Sequence, residues 1–223
     1  AGKFHTCGLQ KNGNAMCWGN NEHRQSRPKR GKYVQLAAGE KHTCGLKSDG
    51  VVTCWGDNED GQLQVTSGKY VHLAARGSQT CGLLENGSAR CWGGSVSRRE
   101  DITVGSNPGP FIPSLISNNA ESREQGPPNK RVVEARKRLG LSDGTFVTGH
   151  GHSCGLLNDG SVQCWGDNQK GQSSPEPGRY IYLAAGANHT CGLLVDGLVK
   201  CWGDNGAGQL NPKPGRFVKL VAG

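Results

Sequence analysis

The stretch HTCGLKSDGVVTCWGDNEDGQL, residues 42–63, gathers two cysteines, a histidine, a tryptophan and several carboxylates. Such a set could bind a metal, pass electrons or do acid–base chemistry. Spacing separates these options. The ten cysteines form five pairs, each C-x9-C: Cys7 and Cys17, Cys44 and Cys54, Cys81 and Cys91, Cys154 and Cys164, Cys191 and Cys201. Structural zinc sites bring two thiolates onto one ion from about two to four intervening residues, and redox pairs favour C-x-x-C. A ten-residue separation suits a hairpin. With a three-residue loop at Ser48-Asp49-Gly50 and the glycine left-handed, Cys44 faces Cys54. Directly opposed residues at a non-hydrogen-bonded site lie about 4.5 Å apart at Cα, inside the roughly 4.4–6.8 Å that a disulfide spans. The same register fits Asn12-Gly13, Asn86-Gly87, Asp159-Gly160 and Asp196-Gly197. Five disulfides are expected, each worth about 2–3 kcal/mol on the chain-entropy model. Reduced thiols and a metal or redox pair are the competing readings.

The elements that must position these residues follow from a repeat. The first cysteines of successive pairs are 37, 37, 73 and 37 residues apart, so a cysteine-free unit occupies the long gap and six units account for the chain of 223 residues. Periods of about 20 to 50 residues indicate solenoids, propellers or arrays. Each unit holds three strand-like runs, as in YVQLAA, HTCGLK and VVTCWG, separated by turn residues. The C-terminal GRFVKLVAG opens a unit that the N-terminal AGKFHTCGL continues. The expected fold is all-β: a single-domain β-propeller over 1–223, with six three-stranded blades of about 37 residues. The C-terminal strand joins the N-terminal blade to close the ring and leave no long sheet edge. Residues 95–143 form a divergent fourth blade with a long loop, keeping LGLSDG where the other units have a cysteine.

The recurring AG..H..GL..DG.V..WG.N..GQL pattern resembles the regulator of chromosome condensation repeat family, across nearly the whole chain except 95–143. The resemblance implies β-propellers, seven-bladed in most members, so six units is a departure. Its cysteine pairs look like the secreted variety, as in crinkly-type receptor ectodomains, and its short blades look like the propeller β-lactamase inhibitor branch. It implies recognition activities: nucleotide exchange on a small GTPase, chromatin binding, enzyme inhibition or ligand binding.

Within the repeat, His5, His42, His152 and His189 precede the first cysteine of a pair by two residues, and Gln79 stands there in the third unit. A catalyst is seldom needed four times, so these read as buried residues bonding a neighbouring blade. His150-Gly151-His152 is the one histidine pair that could hold a metal. Trp18, Trp55, Trp92, Trp165 and Trp202 follow the second cysteines and alternate to the opposite face, either packed between blades or exposed to stack on sugars. Asp57-Asn58 and Asp204-Asn205 occupy turns where such side chains bond the local backbone, off the spacing of a calcium loop. No nucleophile–base set and no phosphate-cradling glycine loop occur. The expectation is a non-enzyme without cofactor or metal.

Composition agrees. Glycine is 36 of 223 residues and hydrophobic residues only 34%, which suits short strands and tight turns. No apolar run approaches the ~18 residues of a membrane span. The chain opens without a signal-peptide pattern and reads as mature or trimmed. Ten evenly paired cysteines point to an oxidising, extracellular setting, with which an intracellular chromatin or GTPase role agrees poorly. The sequons at Asn86 and Asn188 are compatible with secretion. A net charge of +8 favours an anionic partner.

Departures from the template are where function is expected. One is the basic loop His23–Lys32, with Arg24, Arg27, Lys29, Arg30 and Lys32. Another is the repeated Lys32-Tyr33, Lys69-Tyr70, Arg179-Tyr180 and Arg216-Phe217, which cyclic symmetry sets on one rim. The third is 95–143. Against each stands a plain alternative: a solvated turn, an inward aromatic beside a solubilising charge, or drift. The reading is a secreted recognition module for an extracellular protein, or else a multivalent lectin with similar sites between blades. Nucleic acid is not favoured, and the oligomeric state is open.

Overall fold

A computed structural model describes residues 4–86, 88–94, 102–103, 129–139 and 146–222. Its strands in chain order are β1 His5–Gln10, β2 Ala15–Gly19, β3 Gln35–Ala38, β4 His42–Leu46, β5 Val52–Gly56, β6 Tyr70–Arg76, β7 Gln79–Leu84, β8 Ser88–Trp92 and β9 Ile102–Thr103. After one helix, α1 Lys130–Arg138, come β10 Phe146–Thr148, β11 His152–Leu156, β12 Val162–Gly166, β13 Tyr180–Ala185, β14 His189–Leu194, β15 Val199–Gly203 and β16 Phe217–Ala222. They build five antiparallel sheets: β16-β1-β2, β3-β4-β5, β6-β7-β8-β9, β10-β11-β12 and β13-β14-β15. These are blades one, two, three, five and six of a β-propeller. The ring closes as expected, β16 running antiparallel to β1 with Thr6 opposite Ala222 and Gly8 opposite Leu220.

Each hairpin sets its cysteines directly opposite one another, Cys44 against Cys54 and likewise in the other four blades. All ten are joined as disulfides at Cα separations of 4.0–4.1 Å. The turn works because Gly50 adopts φ +81°, a left-handed angle that a side chain would strain. The hairpin turns all emerge at one end of the blades, here the hairpin face. The loops that leave β2, β5, β12 and β15 emerge at the other, the loop face.

Every blade has a sulfur side and an aromatic side, so blades stack. The Cys7–Cys17 bridge and Leu9 of blade one pack with Tyr33, Leu36 and Trp55 of blade two. Cys44, Cys54 and Leu46 meet Tyr70, Leu73, Leu84 and Trp92 of blade three. Cys154 and Leu156 meet Tyr180, Leu183 and Trp202 of blade six, whose own bridge packs with Trp18, Phe217 and Leu220 of blade one. Within each aromatic side the rings pair, Tyr33 with Trp55, Tyr70 with Trp92, Tyr180 with Trp202 and Phe217 with Trp18, at centroid distances of 5.6–5.8 Å.

Two local features differ from the expected three-stranded blades. Blade three gains β9 as a fourth strand, Ser88 opposite Thr103 and Ala89 opposite Ile102. Within 95–143, read from the sequence as a degraded blade, residues 130–138 are helical. Asn129 caps the helix through its side chain, accepting from the amides of Arg131 and Val132. Val132, Ala135 and Arg136 lie on one buried face at helical spacing. The helix joins the core between blades six and one and lies on the hairpin face, beside β13 and the turn of blade five. Most of the remaining expected blade lies outside the described residues.

Candidate functional site

The residues that most resembled an active site hold the ring together. His5 Nε2 lies 2.8 Å from Thr43 Oγ1, His42 Nε2 2.7 Å from Thr80, His152 Nε2 2.7 Å from Thr190, and His189 Nε2 2.8 Å from Thr6. Each bond runs from one blade to the next. The four Nδ1 atoms are buried and have no partner. A buried donor without an acceptor costs about 1–3 kcal/mol, so the proton resides on Nε2 and points at the threonine oxygen. Thr43 Oγ1 then donates onward to the Gln25 carbonyl. Burial pushes His5 down to about 3, helped by the fields of His189 and His42. Burial likewise takes His42 and His189 to about 4, against opposing pulls from Asp57 and Asp204, and lowers His152. These are neutral clamps.

Tryptophan and the acidic loop form a second clamp. Trp18 Nε1 donates to the Gln209 carbonyl, Trp55 to that of Gln25 and Trp202 to that of Gln172, each on the preceding blade. The glutamine amides are themselves tied down, Gln62 to Asp57, Gln172 to Asp167 and Gln209 to Asp204. Those carboxylates are therefore engaged in turn geometry, and no group of three metal-ligating side chains occurs among the described residues.

The cation–aromatic repeat is the third clamp, and this changes the reading of the rim. Tyr33, Tyr70 and Tyr180 are buried at 3%, 3% and 1% exposure, so they present nothing to an aqueous ligand. Their neighbouring cations reach the hairpin turn of the preceding blade: Lys32 to Asn14 Oδ1, Lys69 to the Asp49 carbonyl, Arg179 to the carbonyl and carboxylate of Asp159, and Arg216 to the Asp196 carbonyl. The rim carries a ring of cations as the symmetry required, but the charged head of each is bonded to a neighbouring turn.

Two of the clamps change at the same place. Blade three carries Gln79 where a histidine would reach forward, and blade five carries Ser153 where a threonine would receive one. In blade five Trp165 is 50% exposed, whereas Trp18, Trp55, Trp92 and Trp202 are 3–4% exposed. The fourth junction is the ring's departure from its own rule.

Among the cations flagged in the sequence, Arg24, Arg27, Lys29 and Arg30 are exposed on the blade one to blade two connection. Arg24 takes a left-handed φ of 66°, where Gly61, Gly171 and Gly208 stand in the equivalent turns. The start of this loop lines a cavity of about 340 Å³ on the loop face, with Phe4, Glu22, His23, Glu40, Lys41 and Asp204 around it. Sequence reasoning missed this cavity, because its walls come from three blades. A second hollow of about 390 Å³ lies between α1 and the blade six hairpin, lined by Lys130, Arg131, Glu134, Ala135, Arg138 and Val195. Of the sequons, Asn86 is exposed at a hairpin turn, while Asn188 is half-buried and its Thr190 carries a histidine clamp. His150 is exposed and its amide bonds the Ala187 carbonyl.

The Regulator of chromosome condensation (RCC1) repeat matches residues 1–25, 33–62, 146–172 and 181–209. No curated protein matches the chain. Among solved structures it is similar to the entire ectodomain of the Physcomitrella patens receptor kinase CR4, at 24% identity and TM-score 0.47, covering 91% of this chain and 60% of that one. It is also similar to the CRINKLY WD40 ectodomain of the Arabidopsis thaliana receptor kinase ACR4, at 28% identity and TM-score 0.37, covering 91% and 61%. Prp20p of Saccharomyces cerevisiae is 17% identical, with TM-score 0.36 and coverage of 98% and 61%. The chain thus spans about 60% of the length of the structures it matches.

Proposed function

This chain is an RCC1-repeat β-propeller, and on that premise we propose that it is a non-enzymatic recognition module for a protein partner, working outside the reducing cytosol. The observation that carries the reading is the engagement of the repeat's reactive side chains in holding blade to blade. The four repeat histidines, the indole N–H groups of Trp18, Trp55 and Trp202, and the turn carboxylates have structural partners, and no nucleophile–base pair is left over among the described residues. Exposed cations without ion-pair partners are concentrated instead on elements that break the template: the loop with Arg24, Arg27, Lys29 and Arg30, and α1. A ring of fixed blades presenting variable elements is how repeat scaffolds bind. Five disulfides are consistent with an oxidising, extracellular setting.

The lectin alternative needs equivalent platforms between blades. Four indoles are buried against a neighbouring blade, and Trp165 alone is half exposed, which favours one special surface over five similar ones. The test is affinity capture from extracellular fluid with the intact chain and with an Arg24→Glu/Arg27→Glu/Lys29→Glu/Arg30→Glu variant. The expected result is a one-to-one protein complex that this variant weakens. Glycan-array binding with several sites per chain, or ten free thiols under non-reducing mass spectrometry of the secreted protein, would overturn the reading.

A further inference from the structure

The helix α1 lies on the hairpin face beside β13 and the turn of blade five, and it concentrates charge that the ring does not use. The rim cations Lys32, Lys69, Arg179 and Arg216 each bond a neighbouring turn. By contrast Lys130, Arg131, Lys137 and Arg138 are exposed and form no ion pair among the described residues. Three of the four, Lys130, Arg131 and Arg138, line the 390 Å³ hollow, whose floor is the methyl of buried Ala135 and the side chain of Val195. Asp159, the nearest carboxylate of blade five, is already paired with Arg179 at 2.8 Å. The hollow is thus an electropositive groove with an apolar floor. Among the described residues, the one anion in its lining is Glu134.

Resting on the recognition reading, we propose that this groove binds a short acidic segment of a protein partner, with carboxylates at its two ends and an uncharged residue between them. Arg131 and Arg138 lie seven residues apart on one helix face, about 10 Å along the axis. An extended or polyproline-like peptide advances about 3 Å per residue, so carboxylates three residues apart meet both guanidinium groups, each of which can hold a carboxylate in a two-bond fork. Glu134 sits between them, one turn from Lys130 and one turn from Arg138. It repels a third carboxylate, so the middle of the segment is an apolar residue laid on Ala135 and Val195. This charge order disfavours a uniform polyanion. A nucleic acid or sulfated glycan would place charge opposite Glu134 and leave the apolar floor unused, and no aromatic ring lines the groove for a base to stack on.

The test is fluorescence anisotropy with the intact, disulfide-bonded chain and three labelled probes: a peptide containing Glu-Leu-Ala-Glu in a neutral background, an all-glutamate peptide of equal length, and a heparin oligosaccharide. The expected order puts the mixed peptide tightest, with affinity falling as salt rises. Arg131→Glu/Arg138→Glu should weaken it at least about tenfold, about 1.4 kcal/mol, and Val195→Asp should weaken it as well. Glu134→Gln should tighten the all-glutamate peptide more than the mixed one. Arg24→Glu/Arg27→Glu, which reverses charge on the loop face, should leave the mixed peptide unaffected. The charged positions are at the surface, Val195 is half-buried against the core, and unchanged circular dichroism confirms folding of each variant. Tighter heparin than peptide, or indifference to the α1 reversals, overturns the proposal. If the peptide does not bind while partner capture still depends on the basic loop, the recognition reading stands and this groove assignment falls; if both fail, both fall.

Discussion

A histidine that gives its Nε2 proton to a threonine and leaves Nδ1 unpaired is constrained to stay neutral, and four such histidines make the ring sensitive to acid. Their folded values lie at about 3 for His5 and about 4 for His42 and His189, below the ordinary ~6.5 of the unfolded chain. Between these limits the unfolded state binds protons that the folded state refuses, so stability rises with pH. It is complete above about pH 6.5 and declines as pH falls towards 4, with His5 extending the decline to about 3. Urea midpoints measured across this window should drop steadily as pH falls, and His189→Gln should make the slope shallower; a flat profile would refute the neutral state assigned to these buried histidines. The glycines beside His42, His152 and His189 are constrained as firmly. A Cβ at Gly186 would stand 2.2 Å from His189 Cε1. Gly186→Ala should cost about 1–3 kcal/mol by overpacking, while Gly206→Ala, whose nearest atoms lie at 3.7 Å, should be near neutral in the same denaturation assay.

At the scale of the element, the hairpin is the unit that the sequence describes best. Opposed cysteines, a left-handed glycine at the turn and alternation of indole against sulfur are all local consequences of a period-two strand. The disulfides, the strand triplets and the ring closure were therefore legible from spacing. Losing one staple through Cys44→Ser/Cys54→Ser should lower stability by about 3 kcal/mol on the chain-entropy estimate for a loop this short. The loss should be somewhat larger in practice, because the sulfurs also pack with Tyr70 and Trp92; denaturant titration of the folded variant measures it. What the sequence hid was contact between units. Within 95–143 the helix 130–138 was missed, although Asn129 as a cap and Val132, Ala135 and Arg136 at helical spacing signal it; most of LGLSDG lies outside the described residues. The rim cations looked like a binding ring because nothing in one unit reveals that its lysine bonds the turn of the unit before. The cavity with Phe4, Glu40 and Asp204 draws on blades one, two and six, and no single repeat contains it.

For the whole molecule, the order of clamps predicts where the ring can be cut. Junctions one–two, two–three, five–six and six–one each carry a histidine–threonine bond, and no further one occurs among the described residues. A circular permutant that joins Ala222 to Phe4 through a linker and opens the chain between β9 and α1, away from every clamp among the described residues, should keep the greater stability. One opened at the Ser48-Asp49-Gly50 turn should lose several kcal/mol, since it breaks a stapled hairpin whose turn also receives Lys69; comparing the two by thermal unfolding tests the asymmetry. The closure of blade one has a mechanical consequence. In the β1–β16 ladder Thr6 faces Ala222, so the strand that enters and the strand that leaves do so at the same end. Tension between those two residues pulls the ladder apart one rung at a time, as a zipper opens, while the disulfide between β1 and β2 keeps that hairpin intact. Tethered at both ends, the ring would open at low load and always at the same blade.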